Sequence, residues 1–291
     1  MDREQYTKSD TRTAWIMLAP FLLFFIIFVL YPVALNFYYS FTDYNLTADT
    51  GWVGLKNYLR LPKDKNFMAA LENTVVYALV SVVLLTALGF LTAAVLNRKM
   101  RGVKWIRMLM IFPYATSMTA VAMIWVMMYD PTNGFLNKMM RMTGLPLQNW
   151  LFDPSMALGC LIAVNVWKNI GYCMLIYLAG MQSIPGEIYE AATVEGASDW
   201  RKMISITLPM VRPVAFFVFV TTLVESFKTF ELVSVTTGGG PLNATTTLVH
   251  QIYQRGFAEF KMGYASAISI VLLAVVMIIT AFNYRMNQSA E

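Results

Sequence analysis

Long apolar stretches alternate with short polar segments along the whole chain. Residues 13–42, 73–97, 108–129 and 262–284 contain no charged side chain, and each stretch exceeds the roughly 20 residues that cross a bilayer as a helix. Residues 154–181 and 213–236 are equally apolar but are interrupted by charges. The pattern predicts an all-α polytopic membrane protein with six spans, at about residues 14–41, 73–97, 106–129, 156–181, 213–236 and 262–284.

Composition supports an integral membrane protein. Only 13% of the residues are charged, against roughly 25% in soluble domains, and 57% are hydrophobic. The two cysteines, Cys160 and Cys173, lie too far apart on one predicted helix to form a disulfide, and no metal-ligand spacing is present. In a membrane protein, the net charge of +5 is informative through the distribution of Lys and Arg among the loops.

Basic residues favour the cytoplasmic side of a membrane. The tails and the loops that share their side of the bilayer hold twelve Lys and Arg, against eight in the opposite loops. The loop with Arg98, Lys99, Arg101, Lys104 and Arg107 is the clearest marker, because it contains no acidic residue. We expect the N-terminal tail (1–13), the C-terminal tail (286–291) and the loop 183–212 to lie in the cytoplasm.

The loop 183–212 has the signals of two short helices. Pro185 suits the start of the first, Gly196 suits its end, and Ser198 can cap a second helix that Pro209 ends. Small residues beside Glu190 would let another protein approach closely. A helix resting on the membrane surface has similar features, so both interpretations stay open at this point.

The residues of this loop resemble the EAA loop of ABC importer permeases. The resemblance is carried by Glu190, Ala191, Ala192 and Gly196, followed by Leu208-Pro209. Further segments, at residues 52–58, 134–137 and 237–241, are similar to segments of the carbohydrate-type permeases. The chain is similar to the larger permease of the maltose transporter in a shorter six-helix form. The resemblance implies an ABC type I importer transmembrane domain over residues 14–285, with the 183–212 loop as a coupling element.

The resemblance also implies an assembly in the bacterial cytoplasmic membrane. Its members would be a second homologous permease, two ATP-binding subunits and an extracytoplasmic solute-binding protein, surrounded by membrane lipid and without nucleic acid. No Walker-type motif occurs in this chain, so ATP and Mg would be bound by the partner ATPase subunits. We therefore expect a transport subunit with no catalytic residues and no cofactor of its own.

Two polar stripes mark a candidate substrate pathway inside the fourth and fifth spans. Polar residues within spans usually face a cavity or a partner helix. Amide, hydroxyl and aromatic groups in these stripes suit a sugar. The predicted substrate-binding residues are Asn165, Lys168, Asn169, Tyr172, Thr222, Glu225, Ser226 and Thr229.

The same residues have other interpretations. Ser, Thr and Asn often join packed helices by hydrogen bonds. Lys168 could pair with Glu225, or Lys228 with Glu225 or Glu231 on its own helix.

The sequence predicts a permease subunit of an ATP-driven importer for a sugar or oligosaccharide. The alternative is an ion-gradient-driven secondary transporter that uses Glu225, Lys228 and Glu231 as a relay.

Overall fold

The computed structural model describes residues 8–46, 50–98 and 100–288. In these residues helices dominate and no β-strand occurs, although an isolated bridge joins Thr42 and Trp52. The predicted all-α fold class is confirmed. Residues 1–7 and 289–291 of the predicted tails, and Lys99 of the basic loop, lie outside the described residues.

Long helices of bilayer length are separated by short helices in the connecting segments. In chain order the α-helices are α1 Lys8–Phe25, α2 Tyr31–Tyr39, α3 Lys56–Arg60, α4 Lys65–Leu96, α5 Val103–Ala115, α6 Met118–Met128, α7 Phe135–Thr143, α8 Ala157–Gln182, α9 Gly186–Val194, α10 Asp199–Lys202, α11 Leu208–Met210, α12 Arg212–Phe227, α13 Glu231–Thr236, α14 Leu248–Tyr253 and α15 Met262–Gln288. A π-helical turn, Ile26–Leu30, joins α1 to α2 without a gap.

Four helical stretches are long and apolar enough to cross a membrane unaided: Arg12–Tyr39, Lys65–Leu96, Ala157–Gln182 and Met262–Ala281. Two bent pairs bring the number to six if each pair is one span. In the first, α5 and α6 meet at 99°, and in the second, Asp199–Met210 meets α12 at 64°.

Two of the predicted spans are divided in the structure. The predicted span 106–129 falls on α5 and α6, which are separated at Thr116 and Ser117. Pro113 cannot donate a backbone hydrogen bond within α5, and Thr116 is extended (φ −83°, ψ 152°), so the helix ends there. The predicted span 213–236 falls on α12 and α13, which are separated by residues 228–230. Hydropathy did not reveal the first break, because Thr116 and Ser117 are uncharged, whereas the second break contains Lys228, one of the charges that interrupt residues 213–236.

The break between α5 and α6 is bound by the ammonium group of Lys168, which is buried on α8. Lys168 Nζ donates to the carbonyl oxygens of Pro113, Tyr114 and Thr116, at 3.2, 2.9 and 2.9 Å. A helix leaves its last carbonyl groups without partners, and a cation at that end interacts favourably with the helix dipole. Since an ammonium group has three N–H donors, these bonds use all of them.

The chain divides into two compact units. One comprises Met1–Leu61 with Ile252–Leu272, and the other comprises Pro62–Gln251 with Leu273–Glu291. In the second unit α8 is central and packs against α4 and α5. Gly89 allows α4 to approach Cys173, and Gly171 allows α8 to approach the backbone of Met110, since a Cβ at either glycine would overlap its neighbour. Small residues permit such close packing of membrane helices.

In the first unit, the segment after α2 folds back on the end of that helix. Asn57 donates its amide to the carbonyl oxygens of Ser40 and Thr42, at 2.9 and 2.8 Å. The ring of Trp52 stacks on Phe41 with 5.6 Å between centroids. The tryptophan and asparagine of the 52–58 segment therefore close the end of the first span.

Replacing Lys168 by Met should lower the thermal stability of the protein by several degrees. The substitution keeps the length of the side chain but removes hydrogen bonds to a charged donor, which contribute roughly 1.5–3 kcal/mol. Lys228→Met is the matched control, because Lys228 is exposed and its ion pair with Glu225 is expected to contribute about 0–1 kcal/mol. Thermal unfolding of both variants in the same detergent measures the difference. Equal midpoints for the two would contradict the stabilising role of Lys168.

Candidate functional site

The second unit contains a cavity of about 670 Å³ between α8 and α12. Residues 228–232, which include the break after α12 and the start of α13, also line the cavity. Tyr114 and Met118, on either side of the break between α5 and α6, line another wall. Both helix breaks therefore lie at the cavity.

Every residue predicted to bind substrate lines this cavity. Residues spaced three or four apart on a helix share one face, so each predicted stripe faces one direction. The structure brings the two stripes together, with Asn165, Lys168, Asn169 and Tyr172 on α8, Thr222, Glu225 and Ser226 on α12, and Thr229 just after α12. Their binding of a substrate stays a prediction.

The amide and hydroxyl groups of the cavity are partly engaged with each other. Asn169 Nδ2 donates to Asn165 Oδ1 at 2.8 Å and to the Asn165 carbonyl at 2.9 Å. Thr222 Oγ1 donates to the carbonyl of Val218 on its own helix, at 2.7 Å. These bonds orient the side chains. An amide has two donors and an acceptor with two lone pairs, so Asn165 and Asn169 keep further capacity for a ligand.

The charged groups of the cavity differ in how they are paired. The ammonium of Lys168 is directed to the backbone at the end of α5, and the alternative in which it pairs with Glu225 is absent from the described ion pairs. Instead Lys228 Nζ lies 3.2 Å from Glu225 Oε1, which is one of the two pairings that the sequence left open for Lys228. Glu231 also lines the cavity. Among the described residues, no group of three or more His, Cys, Asp or Glu side chains could hold a metal ion.

An aromatic pair on the cavity wall includes a residue that sequence reasoning missed. The ring of Tyr114 stacks on that of Tyr172 with centroids 4.6 Å apart and planes within 11°. Lys168 Nζ lies 5.5 Å from the Tyr114 ring and holds the Tyr114 carbonyl, so one ammonium fixes both the backbone and the ring. The only sequence signal at Tyr114 is the preceding proline, which favours an interruption of the helix.

Residues 237–251 support the turn that carries Thr229. Thr247 Oγ1 donates to the Thr229 carbonyl at 3.1 Å, and Thr229 Oγ1 donates to the hydroxyl of Tyr77 at 3.4 Å. His250 is buried in this segment, with its ring beside Gly239. Burial lowers the pKa of His250, and this effect outweighs the opposing one of the hydrogen bond with the Gly238 backbone.

The loop between α8 and α12 folds as an elbow of short helices. Gly196 is left-handed (φ 75°) and ends α9, where Ala197 N bonds to the Ala192 carbonyl at 2.9 Å. Ser198 Oγ accepts from Arg201 N at 3.3 Å and caps α10. The hydroxyls of Tyr189 and Thr207 lie 2.9 Å apart and join the two arms of the elbow. The signals at Pro185, Gly196 and Ser198 are those that the structure uses. The prediction that Pro209 ends the second helix is wrong, because the helical stretch continues to Met210 and Pro209 lies in the first turn of α11, where its missing N–H loses no hydrogen bond.

The elbow presents the residues predicted to couple to an ATPase. Five of the six are exposed, and the sixth, Ala192, is half-buried: Glu190, Ala191, Ala192, Gly196, Leu208 and Pro209. Val194 and Trp200 are 90% and 73% exposed beside them. Exposed large apolar side chains are typical of a surface that another protein or the membrane covers.

Comparison with known proteins places this geometry in a family. Residues 85–290 match the family described as "Binding-protein-dependent transport system inner membrane component". The sn-glycerol-3-phosphate transport system permease protein UgpA of Brucella suis is 33% identical over 97% of both chains. The probable ABC transporter permease protein YurN of Bacillus subtilis is 35% identical over 95% of this chain and 96% of its own.

A solved structure shows the same fold. A permease chain from a bacterial ABC transporter involved in the import of the acidic polysaccharide alginate superposes with a TM-score of 0.86. The two chains are 25% identical, and the match covers 97% of this chain and 98% of the other. The predictions of family and fold are therefore confirmed. The chain belongs to the family of binding-protein-dependent transport system inner membrane components, and it is an ABC transporter permease with the transmembrane fold of the type I importers.

Proposed function

We propose that this permease moves a sugar or oligosaccharide through the cavity between α8 and α12, driven by ATP that separate subunits hydrolyse. The observation that carries the proposal is one of connectivity. The two helices that line the cavity, α8 and α12, are the helices that enter and leave the exposed elbow. A movement of the elbow is thereby transmitted directly to both walls of the cavity.

The chemistry of the cavity supports a hydroxyl-rich substrate. Its volume lies within the roughly 300–1,000 Å³ of small-molecule sites. Asn165 and Asn169 offer amide groups, and the stacked rings of Tyr114 and Tyr172 offer an apolar surface for the face of a sugar ring. Two similar proteins are named for the transport of sn-glycerol-3-phosphate and of alginate, and both compounds carry hydroxyl groups.

The proposed assembly places the elbow against an ATPase. Glu190 would make a charge-assisted hydrogen bond to a basic group there, and Ala191, Ala192 and Gly196 would allow close contact. Leu208 and Pro209 would pass the movement to α12. The partners are a second homologous permease, two ATPase subunits that bind ATP and Mg, and an extracytoplasmic binding protein. Both termini and the elbow lie in the cytoplasm in this arrangement.

The alternative is transport driven by an ion gradient through Glu225, Lys228 and Glu231. Glu225 and Lys228 form an ion pair, which suits a relay, and Glu231 lies in the same cavity. Membership of the binding-protein-dependent family favours ATP as the energy source. The two sources are separated by the first of the following experiments.

Reconstituted transporter should accumulate sugar with internal ATP when all ion gradients are collapsed. Glu190→Gln should then lower the uptake rate about tenfold or more, because hydrogen bonds between charged groups contribute roughly 1.5–3 kcal/mol. Glu187→Gln is the matched control, with the same change on the same exposed helix. Uptake that requires a gradient, or equal losses in the two variants, would contradict ATP coupling through Glu190.

A cysteine in place of Ala191 should show on which side of the membrane the elbow lies and whether the ATPase covers it. Cys160 and Cys173 are buried, so an impermeant maleimide should leave the parent protein unlabelled. We expect Ala191→Cys to react in inside-out vesicles washed free of peripheral subunits and not in intact cells. Adding back the ATPase should protect it. Labelling from the outside, or no protection, would overturn the proposed orientation or docking.

Tyr172→Leu should raise the sugar concentration that gives half-maximal uptake between about twofold and tenfold. Aromatic contacts of this kind contribute roughly 0.5–1.5 kcal/mol beyond the buried area. Phe217→Leu on α12 is the control, because its ring is exposed and does not line the cavity. If both variants leave half-saturation unchanged, the Tyr114–Tyr172 pair does not contact the substrate.

A further inference from the structure

The connection between α4 and α5 carries positive charge that the described chain does not balance. The basic residues of this basic hairpin, residues 97–107, that the structure describes are Arg98, Arg101, Lys104 and Arg107. The first three side chains are exposed, and none of the four forms an ion pair within the described residues. Residues 73–129, which include all of α5 and the part of α4 from Asn73 onward, contain no Asp or Glu. A compensating anion must therefore come from outside this segment.

The start of α5 increases the positive potential at the same place. The helix begins after Gly102 with no side-chain cap and no acidic residue in its first turn. Basic residues at a helix N-terminus are unfavourable, because the N-terminal end of the helix dipole is itself positive. One nitrogen of Arg107 donates to the Leu96 carbonyl at 2.5 Å, while its buried Nε has no hydrogen-bond partner in the described structure.

An apolar groove begins where the basic hairpin ends. It has a volume of about 280 Å³ and is lined by Leu91, Thr92, Val95, Leu96, Ile106 and Met110. Leu91 and Val95 on α4 are 56% and 58% exposed. Leu96 and Ile106 belong both to the groove and to the ends of the helices that the hairpin joins, so the groove and the charges are adjacent.

The hairpin connects two membrane segments and therefore lies at the surface of the bilayer. Trp105, 68% exposed at the start of α5, is the type of residue that concentrates at this depth. A free phosphate or nucleotide would use the cations and leave the groove empty. A molecule with an anionic head and a hydrocarbon chain would satisfy both features.

We propose that the basic hairpin and the adjoining groove form a binding site for one anionic phospholipid. The phosphate lies against Arg98, Arg101 and Lys104, and an acyl chain lies in the groove along Val95 and Ile106. The site is separate from the transport cavity and does not depend on the identity of the transported substrate. The bound lipid would contact the start of α5, and Lys168 binds the other end of the same helix.

The test measures lipid retained by the intact transporter in detergent, using native mass spectrometry. Phosphatidylglycerol and phosphatidylcholine with identical acyl chains are added separately. We expect one phosphatidylglycerol per permease chain to be retained in preference to phosphatidylcholine. Arg101→Gln with Lys104→Gln should weaken that retention roughly tenfold or more, as expected for two cations at an anionic lipid surface.

Three controls make the result decisive. Lys138→Gln with Arg141→Gln removes the same charge from α7 and should leave retention unchanged. Val95→Trp fills the groove without changing charge and should also weaken retention. Inorganic phosphate at millimolar concentration should not displace the lipid. Equal retention of the two lipids, an equal effect of the α7 variant, no effect of Val95→Trp, or displacement by phosphate would each overturn the proposed site.

Discussion

A single ammonium group binds the end of a helix at one wall of the cavity. Lys168 is buried in α8, and its cost of desolvation is offset by three carbonyl oxygens where α5 ends. Because the break leaves those carbonyls without helical partners, the cation and the break stabilise each other. The wall formed by Tyr114 depends on this arrangement, since the same lysine binds the Tyr114 carbonyl and lies near its ring.

This constraint explains why a charge inside a span need not act on a substrate. Polar groups in membrane helices usually face a pathway or a partner helix. Lys168 lies at the cavity and also bonds to a neighbouring helix, α5. It lines the cavity, yet its donors are directed away to the backbone. The groups left for a ligand are amides, hydroxyls and stacked aromatic rings, together with the Glu225–Lys228 pair and Glu231.

The cavity and the elbow are parts of one continuous element. The end of α8 leads into α9, and α11 leads into α12 after a single residue. Within the elbow, the Tyr189–Thr207 bond joins the two arms, and the caps at Gly196 and Ser198 end one short helix and begin the next.

Local signals along the sequence determined the apolar spans, the polar stripes and the helix ends of the elbow, because each depends on residues close in the chain. Hydropathy identified the spans, helical spacing placed Asn165 and Tyr172 on one face, and Gly196 and Ser198 act within their own turns. Only the tertiary structure decided the bend at Thr116, the partners of Lys168 and the place of Tyr114. The physical reason is distance: Lys168 and Pro113 are 55 positions apart, and whether a buried cation meets a carboxylate or a free helix end depends on which helices pack together.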